Sequence, residues 1–251
     1  MMPNDADSPS IYDLLNVAMN NRWISERTRE GWCSVFQEVV DSHYHALSIS
    51  FTNDTMVPAL LEMQAFGYFV AAVDVVLSGQ VPACFALLRM CIECAVYACT
   101  IASRPELNVI WALRDKTIDD KRRFDAAFKI TDLINALPDT GPVPRDVIWK
   151  LYRISISHGG HPNPPAALSM VDIYGTEGRR SMDAPLFSDG MPLLHALKAT
   201  ADVGYAMACL NDLMVNDHFA PKNMPEHVHA LAIAGLSELG SDDKHLADDE
   251  D

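Results

Sequence analysis

Two groups of residues in this chain have the types and spacing that chemistry requires. The first lies in the segment YRISISHGGHPNPP, residues 152–165, which holds Tyr152, Arg153, Ser155, His158 and His161. If the residues before the glycines are helical, Leu151, Ile154 and His158 recur at steps of three and four. His158 then faces inward at the helix end, and Gly159 and Gly160 release the backbone beyond it. An imidazole that is supported on one side and reachable on the other suits general acid–base work. Arg153 adds a fixed positive charge five residues earlier. The plainer role for His158 is a core histidine bonded to Glu93 or to a carbonyl.

The second group is Arg89 and Glu93, spaced i and i+4 in LLRMCIEC and the only charged side chains between Val81 and Ala102. A lone buried charge is expensive, so the two are expected to pair with each other or across to a facing helix, with Asp74 as a candidate third member. Such a pair either fixes helix register or supports a site. Tyr152, Ser155 and His161 complete the supporting polar set.

Other chemistries find no purchase. The chain contains no phosphate-binding glycine loop, no HExxH and no GxSxG. His43 and His45 point to opposite sides of a helix, as do His227 and His229, so neither pair can hold one ion. A metal site would need His43, His158, His161 and Glu93 to converge, and no ligand pair announces it. The expectation is therefore no metal and no cofactor. Cys91 and Cys94 spell CxxC inside an apolar helix with no second pair, which reads as packing. Of the six cysteines, four fall between Cys84 and Cys99. Thiols on one helix cannot easily pair with each other, and reduced core cysteines of a cytoplasmic protein are expected.

The elements that must position these groups follow from periodicity and punctuation. Residues 11–19 read as a short helix, and Ser25 is expected to cap a longer one with Trp32, Phe36, Val39, His43 and Leu47 on one face. Residues 57–78 and 81–103 are apolar nearly all round and belong at the centre, with Gly79 as the stop between them and Pro82 in the second helix's first turn. Both approach membrane-spanning length. Glu62, Asp74, Arg89 and Glu93 argue instead for buried helices with no membrane partner.

Helices are expected next at 106–114, 118–137 and 145–157, with a break at 138–144. A β-hairpin or ordered loop is expected near 167–187, then a long helix capped by Ser188 and a last one at 225–239. The fold class is all-α. A single helical bundle of seven to eight helices is expected over 1–240, followed by an acidic disordered tail at 241–251.

Composition limits the partners. The 251 residues are 49% hydrophobic, and Lys+Arg 19 against Asp+Glu 34 gives a formal net charge of -15. Six acids and one lysine in the last eleven residues carry -5 of it, which leaves -10 on the rest. A general nucleic-acid binder needs a basic face, so RNA contact could only be a local patch. Lys116, Lys121, Arg122, Arg123 and Lys129 are candidates, mixed with Asp115, Asp119, Asp120 and Asp125.

The segment Arg153 to His158 resembles the R-x4-H motif of the HEPN superfamily, all-α proteins that include metal-independent ribonucleases of toxin and phage-defence systems. The run from Gly79 to Glu93, with its LR-x-x-x-E, and the Ser155–His158 end are similar to a large bacterial all-helical family. The resemblance loosely covers residues 60 to 215. It implies that Arg153 holds the scissile phosphate, that His158 assists proton transfer at the ribose 2′-hydroxyl, and that the protein is a homodimer, with an antitoxin or other protein as a further partner. The alternative from the residues themselves is a non-catalytic interaction protein in which Arg89, Glu93, Tyr152 and His158 form a structural polar core.

Overall fold

The computed structural model describes residues 10–47, 55–138, 143–160, 173–174, 181–182, 186–187 and 189–218. The described residues are overwhelmingly helical. In chain order they form α1 (Ile11–Thr28), α2 (Glu30–Leu47), α3 (Met56–Leu77), α4 (Val81–Ser103), α5 (Leu107–Leu113), α6 (Ile118–Ala127), α7 (Ile130–Ala136), α8 (Arg145–Ser155) and α9 (Met191–His218). A five-residue π-helical turn, Ile156–Gly160, continues α8. The all-α class therefore stands.

The centre is the apolar pair α3 and α4, joined at Gly79. Its φ of 82° is the left-handed conformation that glycine adopts freely. A side chain there would also meet the backbone of Phe187, whose N–H donates to the Gly79 carbonyl at 2.9 Å. Pro82 sits in the first turn of α4, where its missing N–H costs nothing. α4 packs along α3 and is covered elsewhere by α9, the π turn, α8 and α7. Phe85, Leu88, Ala95 and Ile101 of α4 lose all contact with solvent, as do Phe69 of α3 and Leu197 of α9. Each large side chain so buried contributes about 1.5–3 kcal/mol. By length and composition α3 and α4 could each cross a membrane. Five of the six cysteines are buried, Cys33 is half-buried, and all are free.

Two helix boundaries differ from expectation. Ser25 is not a cap: it is buried inside α1, and its carbonyl accepts from the Arg29 N–H. The cap is Ser10, whose hydroxyl accepts from the Asp13 N–H while the Asp13 carboxylate accepts from the Ser10 N–H. The chain breaks at Arg29, whose guanidinium reaches Asp189 at 3.0 Å, a partner 160 residues away. Likewise 118–137 is two helices. Phe128 and Lys129 leave helical geometry, and the freed Phe128 carbonyl accepts from Tyr97 Oη at 3.0 Å. The ring of Phe128 stacks on Phe124 with centroids 4.7 Å apart.

Within 167–187, Ile173 pairs with Met182 and Tyr174 with Ser181 in an antiparallel ladder. Most of that segment, the cap expected at Ser188, the helix expected at 225–239 and the tail at 241–251 lie outside the described residues.

Candidate functional site

The site is built where α8 runs out against the first turns of α4 and α9. Gly159 allows the approach: a Cβ on it would lie 2.5 Å from the Ala86 nitrogen and 2.5 Å from the Pro82 carbonyl oxygen. The glycine stop after α8 thus seats the π turn directly on α4. It brings the His158 ring against Phe85, centroids 4.9 Å apart, and against His195 of α9 at 5.0 Å, edge to face. His195 in turn lies 5.6 Å from Phe85. Val81, Phe85, His158, Met191, Pro192 and His195 line an open cleft of about 290 Å³.

The two imidazoles are held differently. His158 Nδ1 lies 3.1 Å from the Ile154 carbonyl, which can only accept, so Nδ1 carries a proton and donates it. Nε2 is then the atom free to exchange a proton with a molecule in the cleft. Burial holds the pKa of His195 below its ordinary 6.5, and the charges of His158 and Lys198 push in the same direction.

The supporting groups divide. Arg89 Nε donates to Glu93 Oε1 at 2.8 Å, and Tyr152 Oη donates to the same oxygen at 3.1 Å. This triad locks α8 to α4, because Phe85, Arg89 and Glu93 form one stripe at steps of four. Burial, then the Glu93 charge, raises the Tyr152 pKa, so the phenol keeps its proton. Asp74 is not part of this set; it pairs with Arg22 of α1. Ser155 is buried and donates to the Leu151 carbonyl within its own helix at 2.8 Å, a structural use. Arg153 is exposed on the outer face of α8 and does not line the cleft, so the structure does not bring it together with His158. His161 lies outside the described residues.

The three described members of the possible metal set, His43, His158 and Glu93, stand apart. His43 is buried with its ring 5.5 Å from Phe66 and its Nδ1 accepting from Asn211 at 3.5 Å. His158 has Phe85 and His195, and Glu93 has Arg89 and Tyr152, which makes three separate neighbourhoods. Among the described residues no three His, Cys, Asp or Glu side chains gather as a ligand set.

Reading the sequence located His158 and missed its neighbours. His195 follows the first turn of an apolar helix 37 residues later, and no spacing rule connects it to His158. The structure also shows Glu62, buried with both carboxylate oxygens lacking a hydrogen-bond partner among the described residues. Comparison with known protein families, with curated proteins and with solved structures gives no match.

Proposed function

We propose that the His158–His195 cleft is a metal-independent acid–base site that cleaves phosphodiester bonds in RNA, as in a HEPN-like ribonuclease of a bacterial defence or toxin–antitoxin system. The observation that carries the acid–base part is the pair of imidazoles facing one open cleft, one fixed through Nδ1 and the other with its pKa lowered by burial. RNA as substrate rests on the resemblance of Arg153–His158 to the R-x4-H motif.

In this reading His195 accepts the proton of the ribose 2′-hydroxyl. The 2′-oxygen attacks phosphorus and the bond to the 5′-oxygen breaks, while His158, acting as the imidazolium with Nδ1 still bonded to the Ile154 carbonyl, gives its Nε2 proton to the leaving oxygen. The products are a 2′,3′-cyclic phosphate and a 5′-hydroxyl, and no metal or redox partner is consumed. Arg153, outside the cleft, is left to hold a phosphate of the entering strand.

The test is cleavage of total RNA followed by mass analysis of the ends. The parent should yield cyclic phosphate, and His158→Ala and His195→Ala should each lose about 10²–10⁴-fold in rate. Full activity of His158→Ala would refute the reading.

A second reading, a non-catalytic interaction protein, is favoured by the self-contained Arg89–Glu93–Tyr152 triad, which leaves its carboxylate bonded inside the protein. It expects no cleavage by parent or variant, and a lowered unfolding midpoint in His158→Ala from the lost contact with Phe85.

A further inference from the structure

α1 and α3 both present largely apolar faces that no other helix of the described structure covers. On α3, Met56, Leu60, Met63 and Val70 are each about half exposed. With Gly67 between them they step by four, three, four and three, the spacing of a helix that packs against another helix. On α1, Ile11, Tyr12, Leu15, Met19 and Trp23 share one side and are each more than half exposed, while the only buried residues of α1 are Asn21 and Ser25.

The two faces are continuous. Asp74 lies four residues beyond Val70 on the α3 stripe, Arg22 lies three beyond Met19 on α1, and these two form an ion pair.

We infer that this surface is the contact between two copies of the chain, with α3 crossing its symmetry mate near Gly67 and α1 flanking the crossing. Three observations select a second copy as the occupant. From Met56 to Val73 the only charged side chain of α3 is Glu62, which is buried, and the exposed charges about the α1 face, Arg22 and Arg27 against Glu26 and Asp74, balance one another. On a chain of net charge -15, the uncharged α3 stripe is where two copies can meet without like-charge contact, and it offers a charged partner nothing to pair with.

The area also suffices. Nine side chains at this exposure offer roughly 600 Å² of apolar surface, against about 800 Å² per partner in a standard interface, of which a little over half is apolar. A monomer rarely exposes a patch beyond a few hundred Å². Finally, an ideal Cβ at Gly67 meets nothing within 4 Å, which leaves room for a second helix to come close.

An isologous contact of this kind repeats the same residues on both sides. It does not involve the His158–His195 cleft, so it stands or falls independently of the proposed reaction.

The test uses the full chain in sedimentation velocity at tens of micromolar. Twice the chain mass is expected. The double variant Leu60→Glu/Met63→Glu should sediment at the single-chain mass with an unchanged helical circular-dichroism spectrum. Gly67→Cys, which adds a side chain in open space, should give a covalent dimer on mild oxidation, whereas Val109→Cys, an exposed position on α5, should not.

The inference fails if the parent is monomeric at 100 micromolar. It also fails if the double variant keeps the dimer mass while Gly67→Cys does not cross-link. A monomer in which residue 67 cross-links to residues 219–251 of its own chain, or one that binds lipid vesicles through α3, overturns it in favour of that other occupant.

Discussion

Glu62 and His43 are buried ionisable groups whose effects on stability have opposite sign. Burial pushes the Glu62 carboxyl from its ordinary 4.5 up to about 8, and pulls the His43 imidazole from 6.5 down to about 4. Both are therefore neutral in the folded protein near pH 7. Below pH 4.5 Glu62 is protonated folded or unfolded and costs nothing. Between 4.5 and 8 only the unfolded chain ionises it, so stability falls by about 1.4 kcal/mol for each pH unit at most.

His43 acts in the other direction. Its contribution is present above pH 6.5 and is lost as pH falls from 6.5 to 4, where only the unfolded chain binds the proton. The two slopes oppose each other from 4.5 to 6.5, and above 6.5 Glu62 acts alone. Urea unfolding should show the parent losing stability from pH 6.5 to 8 while Glu62→Gln stays level there. An equal decline in both proteins would assign the slope to other groups. Glu62 shows what one residue's type conceals: in the sequence it argues only against a membrane, whereas in the fold both carboxylate oxygens are buried with no hydrogen-bond partner among the described residues.

At the scale of elements, Gly159 is the residue on which the site depends. Gly159→Ala would set a methyl group 2.5 Å from the first turn of α4, and backbone cannot give way as a flexible side chain does. Lifting the π turn should cost about 1–3 kcal/mol, lower Tm by several degrees and separate His158 from Phe85. Gly31→Ala, whose new methyl meets nothing within 4 Å, should leave Tm unchanged or raise it, since glycine in a helix is itself unfavourable. If both variants melt alike, close packing at residue 159 is not what seats the turn.

The same contrast between local and distant causes explains which elements were legible in the sequence. Gly79, Pro82 and the glycines after α8 act through their own backbone, so α3, α4 and α8 could be read directly. The breaks at Arg29 and at Phe128–Lys129 are stabilised by Asp189 and by Tyr97 Oη, partners far along the chain that no local pattern reveals. The candidate site divides in the same way. His158 followed from helical spacing and a glycine stop, whereas His195 joined it only through the packing of α9, and Arg153, close in sequence, is exposed and does not line the cleft.

For the whole molecule, charge decides how RNA could be recognised. Three of the five basic residues about α6 are held in ion pairs: Arg122 with Asp119 at 3.1 Å, Arg123 with Asp120 at 3.9 Å, and Lys129 with Asp132 at 3.3 Å. Exposed pairs of this kind are individually weak, yet they cancel the field that would attract a polyanion. On the proposed ribonuclease reading, a chain of net charge -15 would therefore meet RNA through one or two phosphates at the cleft and Arg153, not along a strand.

Each phosphate neutralised on a single strand contributes about -0.7 to the slope of log affinity against log salt. Anisotropy titrations of the His158→Ala protein, which binds without consuming substrate, should give a slope no steeper than about -1.5. Affinity should also change little between a four-nucleotide and a twenty-nucleotide RNA. A slope near -4, with affinity rising as the strand lengthens, would require an extended basic track of about six phosphate contacts. The ion-paired surface of α6 does not supply one, and that outcome would rule out recognition confined to the cleft.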